Sequence, residues 1–222
     1  MKNFTSAGKK IRLFESAEAP LIILHTFQDE GESVYQAAKN ITRQEFSLAA
    51  IGNLNWDDEM SPWPIPPISK DDTPCTGGAD KYLKIFEEII LPEIFAHLEE
   101  KPIYIAAAGY SLAGLFAVYS MYRTEIFSRI ASASGSFWYP KFLDFTQENK
   151  ILHVPEKIYF SLGDKEAKTR NKILQTVEDN TRRLKNFYET LGIETIFELN
   201  AGNHFQHSTE RTAKAIAWIL QD

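Results

Sequence analysis

Gly109-Tyr110-Ser111-Leu112-Ala113-Gly114 sets a serine between small residues two positions before and two after it, where a short apolar run gives way to a longer one. A strained strand-to-helix turn that lifts a serine hydroxyl clear of the backbone requires this spacing, because any bulk at those two positions would block the turn. The turn also places Ser111 at the start of a helix. There the free Leu112 N–H and the helix dipole favour negative charge developing on a bound carbonyl oxygen. Alanine at 113 replaces the commoner second glycine and is small enough for such a turn. On its own, the pattern also fits a buried serine in a Gly/Ala-rich turn.

A serine hydroxyl attacks poorly at neutral pH unless a base takes its proton, and a histidine base needs a carboxylate to hold its tautomer. Two polar loops later in the chain offer these groups. Gly163-Asp164-Lys165-Glu166 brings two competing carboxylates, and Asn200-Ala201-Gly202-Asn203-His204-Phe205 brings one histidine. Three positions after the loop glycine is the usual place for the acid, which favours Glu166, with Asp164 as a turn former. His204 is the expected base. His207 reads as a surface residue or a support, His97 and His153 as solvated, and His25 as structural.

A second oxyanion donor is expected after the apolar run 21–25, with the Phe27 N–H preferred over that of Thr26. Trp56, Trp63 and Trp138 are candidate substrate-contact residues, weighed equally against core packing, and Tyr110 beside the nucleophile joins them. Asp57-Asp58-Glu59 and Asp71-Asp72 lack the histidines or spaced loop pattern of a cation site, so no metal is assigned and they read as solvated loop charges.

Elements that could position these residues follow from hydrophobic pattern. Short apolar runs at 11–15, 21–25, 46–51, 103–107, 130–133, 157–162 and 194–199 read as strands. Stretches of helical period at 33–40, 79–98 with a kink at Pro92, 112–122, 170–191 and 208–220 read as helices. The alternation predicts a mostly parallel central sheet with helices on both faces. The serine, acid and histidine then fall in that order, each at the C-terminal end of a strand, as in an α/β-hydrolase fold. Residues 53–78 carry five prolines and two tryptophans without a period. They read as an ordered excursion over one end of the sheet. Residues 1–222 are expected to form a single domain with no separate cap domain.

With 222 residues, 44% hydrophobic, and 24 basic against 30 acidic side chains, the chain is of ordinary globular composition. The net charge of −6 and the lack of a Lys/Arg block exclude nucleic acid as an expected partner. Residues 102–122 are free of charge. The Gly-Tyr-Ser break divides them into a buried strand and a buried helix, so no membrane span is expected. Residues 1–12 lack the apolar stretch of a secretory signal, and one cysteine, Cys75, leaves no internal disulfide. The expectation is a protein that starts at Met1 in the reducing cytoplasm, with Cys75 inert.

At these residues the chain resembles the esterase D and enterochelin esterase-like branch of the α/β-hydrolases. The likeness rests on Asn55-Trp56 with Ser61-Pro62-Trp63-Pro64, on Gly77-Gly78-Ala79-Asp80, and on the turn around Ser111. It continues in Ser134-Gly135-Ser136-Phe137-Trp138, Ser161-Leu162-Gly163-Asp164-Lys165-Glu166 and Gly202-Asn203-His204-Phe205. The resemblance implies a serine esterase without metal or organic cofactor that acts on a small-molecule ester, with Ser111 as nucleophile, His204 as base and Glu166 as acid. It leaves the ester and the oligomeric state open. A thioesterase or peptidase using the same three residues, and a non-catalytic binding module on the same scaffold, are the competing readings.

Overall fold

The computed structural model describes residues 1–70 and 72–221. In chain order the elements are β1 (Lys2–Ser6), β2 (Lys9–Phe14), β3 (Leu21–His25), α1 (Gly31–Ile41), β4 (Ser47–Gly52), α2 (Trp56–Glu59), β5 (Pro64–Ile65) and β6 (Cys75–Thr76). They continue as α3 (Ala79–Ile85), α4 (Leu91–His97), β7 (Ile105–Tyr110), α5 (Leu112–Ser120), β8 (Arg129–Ala133), α6 (Phe142–Glu148), β9 (Lys157–Gly163), α7 (Val177–Thr190), β10 (Glu194–Asn200) and α8 (Ser208–Ile219).

Among the described residues, eight strands form one sheet in the order β1-β2-β4-β3-β7-β8-β9-β10. From β4 to β10 every neighbouring pair is parallel, while β1–β2 and β2–β4 are antiparallel. Chain order reverses between β3 and β7, one strand leading to β4 on its left and the other to β8, β9 and β10 on its right. That reversal opens a crevice beyond the carboxyl ends of the two strands. The fully buried runs of β3, β4, β8 and β9 reflect helices on both faces, since parallel strands covered on both sides have no polar side to show. One core layer packs α1 and α8 against the sheet through Val34, Ala38, Ile216 and Ile219, and the other packs α3, α5 and α7 through Tyr82, Phe116 and Leu184.

Three differences from the sequence reading have physical causes. The N-terminal strand β1 was hidden because its turn runs through Ala7 and Gly8, both at positive φ (48° and 76°), and alanine is an unusual first residue for such a hairpin turn. At Pro92, where a kink was expected, the helical run continues to His97. A π-helical turn over Phe86–Ile90 absorbs the missing N–H, and the proline falls in the first turn of α4. The helix expected from 170 starts later, at α7, because the Asn171 side chain accepts the Ile173 N–H (2.9 Å) and donates to the Ile68 carbonyl (2.8 Å), tying this segment to the proline-rich excursion. The excursion itself is ordered by α2 and by the β5–β6 ladder, in which Pro64 faces Thr76 and Ile65 faces Cys75. Among the described residues no helix is long and apolar enough to cross a membrane.

Candidate active site

Ser111 stands at the crest of the β7–α5 turn with φ 58° and ψ −123°, a strained conformation for a residue with a side chain. Such a backbone costs on the order of 1–3 kcal/mol and persists only where its surroundings enforce it. Here its N–H donates to the Ala133 carbonyl (3.2 Å), and its carbonyl accepts the N–H groups of Leu115 and Ser136, both at 3.1 Å. Gly109 cannot carry a side chain, because a Cβ would press into the backbone and methyl of Ala113. Alanine is tolerated at 113 because glycine stands at 109.

His204 lies on the loop between β10 and α8. Its Nε2 is 3.0 Å from Ser111 Oγ, and its Nδ1 is 2.8 Å from Glu166 Oε2. The second oxygen of Glu166, Oε1, accepts from Gly163 N–H (2.6 Å), Ser134 Oγ (2.8 Å) and Arg211 Nη1 (2.9 Å). Burial pushes this carboxyl up, yet the hydrogen bond and charge of His204 and the bonds from Gly163 and Ser134 prevail, holding it below the ordinary carboxylate value. Asp164 faces away from the histidine and accepts the Gly202 N–H (2.8 Å), so it fastens the acid loop to the histidine loop. The hydroxyl of Tyr110 donates to the His204 carbonyl (2.7 Å) and fixes that loop from the strand side.

The Leu112 N–H opens α5 and has no helical partner, as expected of a first-turn donor. The other two candidate donors are engaged. Thr26 N–H donates to Ile51 O (2.9 Å), while the N–H groups of Phe27 and Gln28 donate to the two carboxylate oxygens of Glu30 at 2.9 and 2.7 Å. The Phe27 N–H, expected as the second oxyanion donor, is thus bonded to Glu30 in this structure. A glutamate three residues on was the signal for it, since a carboxylate at that spacing can fold back onto preceding amides.

Ser111, Glu166 and His204 line one cavity of about 900 Å³. Phe27, Trp56, Ile65, Trp138, Leu174 and Phe205 form its apolar wall, and Glu30, Asp57 and Asp72 supply its charge at a distance from the serine loop. No lysine or arginine is among its described lining residues.

Residues 24–207 match the model of a family described as "Putative esterase". The chain belongs to this esterase family. It is 22% identical over 201 residues to the uncharacterized protein YbbA of Bacillus subtilis (strain 168), a match spanning 87% of this chain and 80% of that one. Among solved structures, the enterobactin hydrolase IroE in complex with DFP superposes with a TM-score of 0.64 at 15% identity, covering 100% of this chain and 94% of that one. A ferulic acid esterase gives 0.62 at 15% identity, covering 96% and 90%. The enterobactin esterase FES of Shigella flexneri gives 0.61 at 15% identity over 95% of this chain and 55% of that one, so the chain spans about half the length of that relative. At these identities the structural likeness is one of fold, the α/β-hydrolase fold.

In this esterase, Ser111, His204 and Glu166 come together from three strand ends, and Trp56, Trp138 and Tyr110 line the cavity. Trp63 does not. Its ring packs among Tyr119, Tyr139, Phe142 and Phe145, and its Nε1 donates to Pro140 O (3.1 Å), so it is a partly buried residue that clamps the excursion onto α5 and α6. His97 is half-buried and stacked on Phe4 rather than solvated. His25 is structural: fully buried against Tyr82, Phe86 and Phe116, it is held neutral by burial, which lowers its pKa to about 3. Among the described residues no group of three or more metal-ligating side chains is gathered, and Asp71 lies outside them. Arg211, 1% exposed on α8, was missed by sequence reasoning. The signal was a cation in register with Ala215, Ile216 and Ile219 on the apolar face of an amphipathic helix.

Proposed function

We propose that this esterase hydrolyses an uncharged or cationic carboxylic ester through an acyl-Ser111 intermediate. His204 Nε2 takes the proton of Ser111 as Oγ attacks the ester carbonyl carbon, and Glu166 holds the imidazole with its proton on Nδ1 and stabilises the imidazolium that forms. The oxyanion builds up against the Leu112 N–H at the positive end of α5. The Phe27 N–H joins it where Glu30 gives that donor up. Collapse of the intermediate breaks the ester C–O bond, and His204 passes its proton to the departing alcohol. Water deprotonated by the same nitrogen then attacks the acyl carbon, releasing the carboxylic acid and restoring the serine.

The observation that carries this reading is the unbroken path from Ser111 Oγ through His204 to Glu166, at 3.0 and 2.8 Å, beginning on a strained turn. The charge preference rests on Glu30, Asp57 and Asp72 lining a cavity whose described residues include no cation, since a carboxylate- or phosphate-bearing ester would meet only repulsion there. A fluorophosphonate probe followed by peptide mass spectrometry should mark Ser111. Ser111→Ala should neither label nor turn over, with losses up to about 10⁶-fold in kcat. A folded Ser111→Ala enzyme that keeps a tenth of wild-type turnover would exclude the proposal.

A further inference from the structure

Burying a guanidinium costs several kcal/mol unless its protons are used, and an apolar residue at position 211 would continue the buried face of α8 more cheaply. The chain has instead been built around this cation. Nη1 shares its protons among Glu166 Oε1 (2.9 Å), Ser134 Oγ (3.1 Å) and Tyr110 Oη (3.2 Å), and Nη2 donates to Ala201 O (3.0 Å). Those four acceptors sit at the carboxyl ends of β7, β8, β9 and β10, the strands that deliver the nucleophile, acid and histidine. Gly163 leaves the space: a Cβ there would come 2.7 and 2.9 Å from the two terminal nitrogens of Arg211.

We infer that Arg211 is a positioning residue for the ester hydrolysis proposed above, holding Glu166 so that its Oε2 meets His204. The inference rests on that reading of the site. With Oε1 pinned by Arg211, Gly163 and Ser134, only Oε2 is left for the histidine, and the carboxylate plane cannot rotate. The positive charge on the far oxygen offsets part of the carboxylate's pull on the imidazolium. The other ionisable groups around His204 are Tyr110 from β7, Glu30, Asp57 and Asp72 lining the same cavity, and Asp164 and His207 beside its own loop. Arg211 is the buried cation beside them, while Lys165 next to Glu166 is exposed.

The test is the pH profile of kcat/KM on an uncharged chromogenic ester for wild type, Arg211→Met and Arg211→Lys, with melting curves for each. Arg211→Met should lose about 10²-fold or more in kcat, and its acid limb should move up by about one pH unit, because the buried cation that opposes protonation of the site is gone. Arg211→Lys keeps the charge but not the fork, so its limb should stay within about 0.3 unit while kcat falls about tenfold at unchanged KM. An Arg211→Met enzyme with the wild-type limb, whether active or slowed, overturns the inference and leaves Arg211 a packing residue. If Arg211→Met does not fold, Arg211→Lys decides: a folded lysine variant with wild-type kcat refutes the positioning role. Failure of wild-type Ser111 to react with fluorophosphonate is a separate result that removes the proposed function and this inference together.

Discussion

Glu166→Gln is nearly isosteric, yet the surroundings of the carboxylate dictate how the new amide must lie. Three donors converge on Oε1, from Arg211 (2.9 Å), Gly163 (2.6 Å) and Ser134 (2.8 Å), and one group, His204 Nδ1 (2.8 Å), meets Oε2. With the amide oxygen in the Oε1 position, all three donors keep an acceptor and the amide NH₂ points at His204. The imidazole must then accept at Nδ1 and carry its proton on Nε2, where it cannot take the proton of Ser111. The opposite orientation restores the working tautomer but turns NH₂ towards the Arg211 and Gly163 donors, neither of which can reverse its role. Each donor left without an acceptor costs about 1–3 kcal/mol, so the unproductive arrangement prevails by about 2–6 kcal/mol. That predicts a fall in turnover between about 30-fold and 10⁴-fold with little change in KM. Steady-state kinetics on a chromogenic ester measures it, and imidazole nitrogen shifts report the tautomer. Asp164→Asn keeps an oxygen for the Gly202 N–H and should stay within about threefold of wild-type turnover, at a stability cost under about 1 kcal/mol. Should the aspartate variant lose turnover while the glutamine variant keeps it, the assignment of the acid is reversed. If both keep it, the histidine works without an acid.

Burial holds His25 neutral down to about pH 3, while in the unfolded chain it takes a proton below about 6.5. The unfolded state binds the extra proton throughout that window, so stability falls as pH drops, by on the order of 4–5 kcal/mol across it. His25→Phe should flatten the pH dependence of urea midpoints between about pH 4 and 6.5, and identical slopes would show that His25 does not carry it. Trp63→Ala should cost about 2–4 kcal/mol in chemical denaturation and leave KM within twofold, given its place among Tyr119, Tyr139, Phe142 and Phe145. A changed substrate preference at unchanged stability would put it back in the cavity. For matched esters differing only in charge, kcat/KM should rank cationic and neutral above anionic, with the gap shrinking as salt is raised; an anionic ester preferred at low salt would contradict the field of Glu30, Asp57 and Asp72.

The parts of the site legible in sequence are those that depend on neighbours along the chain. The turn around Ser111 could be read because its requirement for small residues at 109 and 113 is local, and the Leu112 donor follows from its place at a helix start. Strands such as β3 and β4 were readable because a parallel strand covered on both faces is apolar over most of its length. The position of the histidine loop after the last strand followed from counting elements. β1 and the late start of α7 escaped because an alanine in a positive-φ turn and an asparagine side chain bonded across to Ile68 leave no periodic trace.

Sequence alone thus determined the alternation of elements, the tight turn around Ser111 and the chain order of Ser111, Glu166 and His204, all properties of the chain taken a few residues at a time. Which of Asp164 and Glu166 meets His204 was decided by tertiary structure. Two side chains on one loop differ in which of them faces a histidine 38 residues beyond Glu166, and that depends on the register of β9 with β10. Tertiary structure also turned the Trp63 ring to Tyr119, Tyr139, Phe142 and Phe145 while Trp56 and Trp138 stand on the cavity wall, although all three are partly buried against the same core. The role of Arg211 was decided at the same level. The acceptors of its two terminal nitrogens come from several strand ends, and no window of sequence contains Tyr110, Ser134, Glu166 and Ala201 together.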